Sequence, residues 1–198
     1  MNRSLSAFGV IATIAIVAPA QAAPTQIIRF GETVVRLDAG FLGALNTLGV
    51  APSNIQPGRL AVDRRGNVFA GFPVTTGAID LGTGKAEISH VGGLSLTAGS
   101  TVVELTDFDI DSLQPSPVLT GLVTVNGNLV GRLPLFSLMS KSPVNLPVSL
   151  NNGFVLQVSG IKLALTSEAA GALNSVFGIN NLTGGIPIGV AATTAFVF

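Results

Sequence analysis

His90 is the only imidazole in this 198-residue chain, which has no cysteine, tyrosine or tryptophan. The missing types carry most nucleophilic, redox and metal chemistry, so few places are left for a reactive centre. His90 stands in Glu87-Ile88-Ser89-His90-Val91-Gly92-Gly93. Strand alternation puts it on one face with Ala86 and Ile88 and turns Glu87 and Ser89 to the other. A histidine on an apolar face is either a core residue with its ring nitrogens hydrogen-bonded, or a haem or metal ligand. As a ligand it would need a cofactor or protein oxygens to complete the coordination sphere.

The second group is acidic: Glu104, Asp107, Asp109 and Asp111. Asp107-Phe108-Asp109-Ile110-Asp111-Ser112 opens like a calcium loop. It then has Ser112 where such a loop needs glycine and Val118 where it needs a bidentate glutamate. The simpler expectation is a strand with one solvated face and with Phe108 and Ile110 on the other. Asp109 and Asp111, about 7 Å apart on a strand, could flank a sugar, but a glycosidase stacks its substrate on aromatic residues that this chain lacks.

No nucleophile is set up for catalysis. The chain has no Gly-x-Ser-x-Gly elbow, and Ser137 and Lys141 are four apart where a Ser-x-x-Lys motif needs three. Neither a phosphate-binding loop nor a dinucleotide fingerprint is present. Arg64-Arg65 reads as a solvated hairpin tip, and Arg132 as a local ion-pair partner. Ten basic and ten acidic side chains balance, which leaves no basic patch for nucleic acid or anionic lipid. The chain is expected not to be an enzyme.

The elements that must position these residues are mostly strands. Residues 1–22 read as a secretory signal, with Arg3, an apolar stretch over Leu5–Val17 and an Ala20-Gln21-Ala22 cleavage site. That stretch is too short to span a bilayer, and no cysteine follows it for lipidation. Residues 23–198 form one domain long enough to fold on burial alone, without disulfides. Apolar residues alternate in short runs broken by Gly, Pro, Asn and Asp. Val118–Leu133 reads as a hairpin on an Asn126-Gly127 turn, and a second hairpin turns at Arg64–Asn67. Further strands are expected at Lys85–His90, Leu94–Ala98, Thr101–Leu105, Phe154–Val158, Ile161–Leu165 and Val190–Phe198. Prolines 115, 117, 134, 143 and 147 are expected at strand ends or edges.

Residues 37–49 and 165–178 break the pattern alike. Each has an N-cap type (Asp38, Thr166), a Gly-Ala-Leu-Asn core and a closing glycine (Gly49, Gly178). Both read as short amphipathic helices, either packed close together at one end of a β core or convergent on the same small pattern. The fold class is mainly β: an antiparallel β-sandwich or partly open barrel with two short helices near the chain ends.

Several stretches are similar to the HtaA-related domains of secreted bacterial proteins. They are Phe72-Pro73-Val74-Thr75-Thr76-Gly77-Ala78-Ile79-Asp80, Ile88-Ser89-His90-Val91-Gly92-Gly93-Leu94, Thr101–Phe108, Leu163–Thr166 and the helix at 171–178. The resemblance runs over residues 68–190 and implies a β-rich surface module associated with haem uptake. Haem-binding members use a tyrosine ligand; this chain has none, so no ligand carries over.

The expected function is an exported, non-catalytic cell-envelope or extracellular domain that acts on an unknown protein or envelope partner. One alternative is a carrier of an apolar small molecule such as haem inside the β core, with His90 as the candidate axial ligand. Another is a small outer-membrane barrel, suggested by the terminal Phe196 and Phe198. No metal and no nucleic acid are expected. The location is the periplasm, the cell surface or the extracellular space.

Overall fold

The computed structural model describes residues 25–140, 148–150 and 153–197. The expected signal segment, Pro143, Pro147 and Phe198 lie outside them. The strands are β1 (Thr25–Leu37), β2 (Ala51–Ile55), β3 (Arg59–Val62), β4 (Val68–Asp80), β5 (Ala86–His90), β6 (Gly93–Ala98), β7 (Thr101–Asp111), β8 (Val118–Val125), β9 (Asn128–Met139), β10 (Val148–Leu150), β11 (Gly153–Leu165) and β12 (Pro187–Val197). Helix α1 (Ala39–Thr47) follows β1, and α2 (Ser167–Phe177) follows β11.

Hydrogen bonding runs β7-β5-β4-β1-β12-β11-β9-β8, and β8 pairs back onto β7. Every pairing in this ring is antiparallel. The expected β architecture is therefore a barrel, closed by the β7–β8 pairing, with β2, β3, β6 and β10 added at its sides. Eight strands leave an interior just wide enough for side chains or for one small ligand.

Outward positions along the ring carry Glu32, Arg36, Glu87, Glu104, Asp109 and Lys162, while the buried positions are apolar except for Thr33, His90 and Thr193. A lipid-facing barrel has the reverse arrangement. The outer-membrane alternative does not fit this surface.

Both helices sit at one end of the barrel. Asp38 caps α1, with its carboxylate accepting from Gly40 N and Phe41 N, and the Thr166 hydroxyl caps α2 by accepting from Ala169 N. Gly178 closes α2 in the left-handed conformation that glycine adopts without a Cβ clash. Leu45 of α1 and Ala169 and Ala170 of α2 join a core cluster with Leu37, Leu105 and Leu165. The two similar segments thus plug the same end.

Several boundaries differ from the sequence expectation. Phe154–Val158 and Ile161–Leu165 are two parts of one strand, β11, with a register shift between Val158 and Ile161. Thr101–Leu105 extends to Asp111 as β7 through another shift between Thr106 and Asp109. The Val118 hairpin turns at Asn126 and Gly127, both with positive φ as expected, but its second strand continues to Met139. Pro134 therefore lies inside β9, opposite Thr120 and beside a register irregularity. A bulge is where a strand accommodates a proline.

Candidate functional site

Among the described residues, the buried polar side chains are Thr33, His90 and Thr193, and they touch one another. They come from β1, β5 and β12 and meet at mid-height inside the barrel. His90 is 5% exposed. Its Nδ1 lies 3.0 Å from the Phe108 carbonyl oxygen and its Nε2 lies 2.7 Å from Thr33 Oγ1. Thr33 Oγ1 is in turn 2.8 Å from Thr193 Oγ1. A carbonyl only accepts, so Nδ1 carries the proton and donates it to Phe108. Burial holds the imidazole below its ordinary pKa, against smaller opposing contributions from the Phe108 carbonyl, Asp109 and the Ile88 backbone. The ring is neutral at pH 7.

The backbone around His90 is shaped for this contact. Asp107 has φ +48°, so the bulge in β7 brings Leu105 and Phe108 to the same interior face. Asp107 N donates to Gly92 O at 3.2 Å, and Gly92 has φ +85°, a conformation suited to glycine. Outside the barrel, Arg132 donates to Asp107 O at 2.8 Å and pairs with Asp109 at 2.8 Å. The expected local ion pair of Arg132 is present, and it clamps the bulge that aims the Phe108 carbonyl at His90.

Around the three polar residues the barrel is hollow. A cavity of about 390 Å³ is walled by Val35, Phe72, Ile79, Ile88, Leu119 and Leu156, with Thr33, His90, Phe108 and Thr193 among its lining. For scale, an apolar cavity of about 150 Å³ admits benzene. Exposed residues of the lining (Thr83, Lys85, Gln114, Pro115 and Ser140) mark its rim at the end opposite the helices. The cavity parts the core into two clusters, one with Phe72, Leu105 and the helices, the other with Ile28, Ile79, Leu156 and Val197.

The remaining candidates have local roles. Asp111 accepts from Leu113 N, and Glu104 from the Thr124 hydroxyl. Asp63 folds the tip that carries Arg64 and Arg65 by accepting from Arg65 N, Asn67 N and Asn67 Nδ2. The acidic alternation of β7 is not continuous, because the bulge at Asp107 resets it. Sequence reasoning passed over Thr33 and Thr193, although each had a signal. Thr33 is in phase with Val35 and Leu37, and Thr193 with Ala191, Ala195 and Val197. A hydroxyl in an apolar phase marks a buried polar contact.

No family model matches the chain, and no curated protein shows similarity to it. Solved structures do. The C-terminal domain of HtaA from Corynebacterium glutamicum superposes with a TM-score of 0.61 at 14% identity, covering 87% of this chain and 99% of that one. The chain has the HtaA-type fold. The heme binding protein HtaB of the same organism gives a TM-score of 0.57 at 9% identity, over 88% of this chain and 96% of HtaB. A domain-swapped dimer of a histidine-to-alanine variant of the HtaA domain also matches, at 0.51 and 15% identity, over 81% and 92%. The likeness extends the resemblance seen over residues 68–190 to nearly the whole described chain. At these identities it establishes the fold alone.

Proposed function

We propose that this chain is an exported, non-catalytic binding domain that holds an apolar small molecule inside its barrel. The apolar cavity of about 390 Å³ carries this reading. Its size falls within the usual range of small-molecule sites, roughly 300–1,000 Å³, and such sites combine apolar walls with a few convergent polar groups. A ligand that covers those walls gains about 25 cal/mol for each Å² of apolar surface removed from water. The comparison with HtaB, named as a heme binding protein, favours a binding role over a purely structural one. The signal-like residues 1–22 support export.

Haem itself meets a specific obstacle. Haem iron takes His, Cys, Met or Tyr as its axial ligand. Both nitrogens of His90 are engaged, cysteine and tyrosine are absent, and Met139 is half exposed and outside the cavity lining. The described residues therefore do not fit an iron-ligated haem, and an uncharged or weakly polar organic ligand suits the walls better. Mass spectrometry of solvent extracts from the purified protein tests the reading, with a stoichiometric apolar molecule as the expected result. A haem titration runs beside it: a Soret shift lost in His90→Ala would overturn the assignment of His90 as a structural residue. An empty extract, together with no uptake of apolar probes, would return the chain to a role played by its surface.

A further inference from the structure

The hydrogen bonds in the cavity wall have a fixed direction, and that direction selects a ligand. Nδ1–H of His90 donates to the Phe108 carbonyl, so the neutral ring has only a lone pair at Nε2. Thr33 must therefore donate its one hydroxyl proton to Nε2 across 2.7 Å. With that proton engaged, the 2.8 Å contact between the hydroxyls can only be Thr193 donating to Thr33. Thr193 has then used its own proton, and no other hydrogen bond of its hydroxyl occurs among the described residues. Lone pairs on Thr193 Oγ1 are left at the wall of the cavity, on a residue that lines it. Uncompensated polar capacity in an apolar site discriminates strongly between ligands that satisfy it and ligands that do not.

We infer that the cavity wall at Thr193 is a hydrogen-bond acceptor that selects an uncharged apolar molecule carrying a hydroxyl. Every proton of the relay is already committed, so this stretch of wall has none to offer to an ether or ester oxygen. The polarity is set at the far end of the relay by the Phe108 carbonyl, which the bulge at Asp107 holds in place. This inference rests on the interior-ligand reading and adds the chemical class of the ligand.

The test uses displacement of 1-aminoanthracene from the purified protein at pH 7.5, with 1-octanol and its methyl ether as competitors. The two competitors share their apolar chain and differ chiefly in the donor. The expected result is that octanol competes about tenfold better than the ether, the equivalent of one hydrogen bond to a buried acceptor. Thr193→Val should erase that preference while the ether still competes, and Thr193→Ser, which keeps the hydroxyl, should retain it. Equal competition by alcohol and ether would overturn the inference and leave the interior-ligand reading standing. If neither the probe nor any competitor binds, the interior-ligand reading itself fails. If Thr193→Val does not fold, Thr193→Cys replaces it: sulfur is a much weaker acceptor, so the preference should fall there, and an undiminished preference overturns the inference.

Discussion

The two halves of the barrel are built from the same strands and the same alternation, yet one is plugged by helices and the other, beside its own core of Ile28, Ile79, Leu156 and Val197, opens into the cavity. At the helix end, Leu45, Ala169 and Ala170 close over Leu37, Leu105 and Leu165. At the other end the described connections include residues 81–85 and 112–117, and no helix covers the interior there among the described residues. Thr33, His90 and Thr193 are buried in the wall of the cavity, which on β1 and β12 reaches Val35 and Ala191 toward the helices. A closed ring of eight strands sets the width of the interior. Whether that interior becomes core or binding site depends on what the loops at each end insert.

The contrast can be broken by mutation, and the largest effect is expected in the packed half. Leu105→Ala removes a buried side chain from a closely packed environment and should destabilise by about 3 kcal/mol. In a domain of this size that is a fall of about 10 °C in Tm by calorimetry. A matched pair of enlargements is more discriminating. Ala169→Leu at the helix plug should destabilise by about 2 kcal/mol through overpacking. Ala191→Leu faces the cavity and should leave Tm unchanged or raise it. Equal losses at both positions would mean that the halves are packed alike.

The boundary between the halves is sharpened by pH. His90 is held below its unfolded value of 6.5 by burial, so between the two values the unfolded chain binds a proton that the native state does not. Stability is therefore complete above about pH 6.5 and falls as pH drops through that value, by up to about 1.4 kcal/mol per unit for this group. Urea unfolding between pH 5 and 7.5 should show this slope, and His90→Gln should flatten it relative to the parent. The smallest effect is expected outside the barrel. Arg132→Gln loosens a partly exposed ion pair and the clamp on Asp107, and about 0.5 kcal/mol is expected by the same unfolding measurement.

Much of the filled half was legible in the sequence. Asp38 and Thr166 cap their helices as expected, and Asn126-Gly127 makes the hairpin turn. These are local signals, fixed by residues adjacent in the chain. Legibility failed where structure depends on partners far apart in sequence. The bulge at Asp107 is invisible in a run of alternating acidic residues, since an aspartate in the left-handed region has no strict signature. β1 is long, but its first half is out of phase with its second because of a shift between Ile28 and Phe30. For His90, residue type and face were readable, and so was the expectation of bonded ring nitrogens. Its partners were not, because Thr33 and Thr193 stand 57 residues before it and 103 after it. The cavity was unreadable for the same reason: it is a property of what eight strands leave unfilled.

The central claim is that the hollow half binds an apolar molecule, and fluorescence titration with 1-aminoanthracene tests it most directly. Saturable binding of one probe per chain is expected in the parent. Ala191→Leu should fold normally and lose that binding, because its added methyl groups occupy the cavity. No saturable binding in the parent, or binding that Ala191→Leu leaves intact, would contradict the claim.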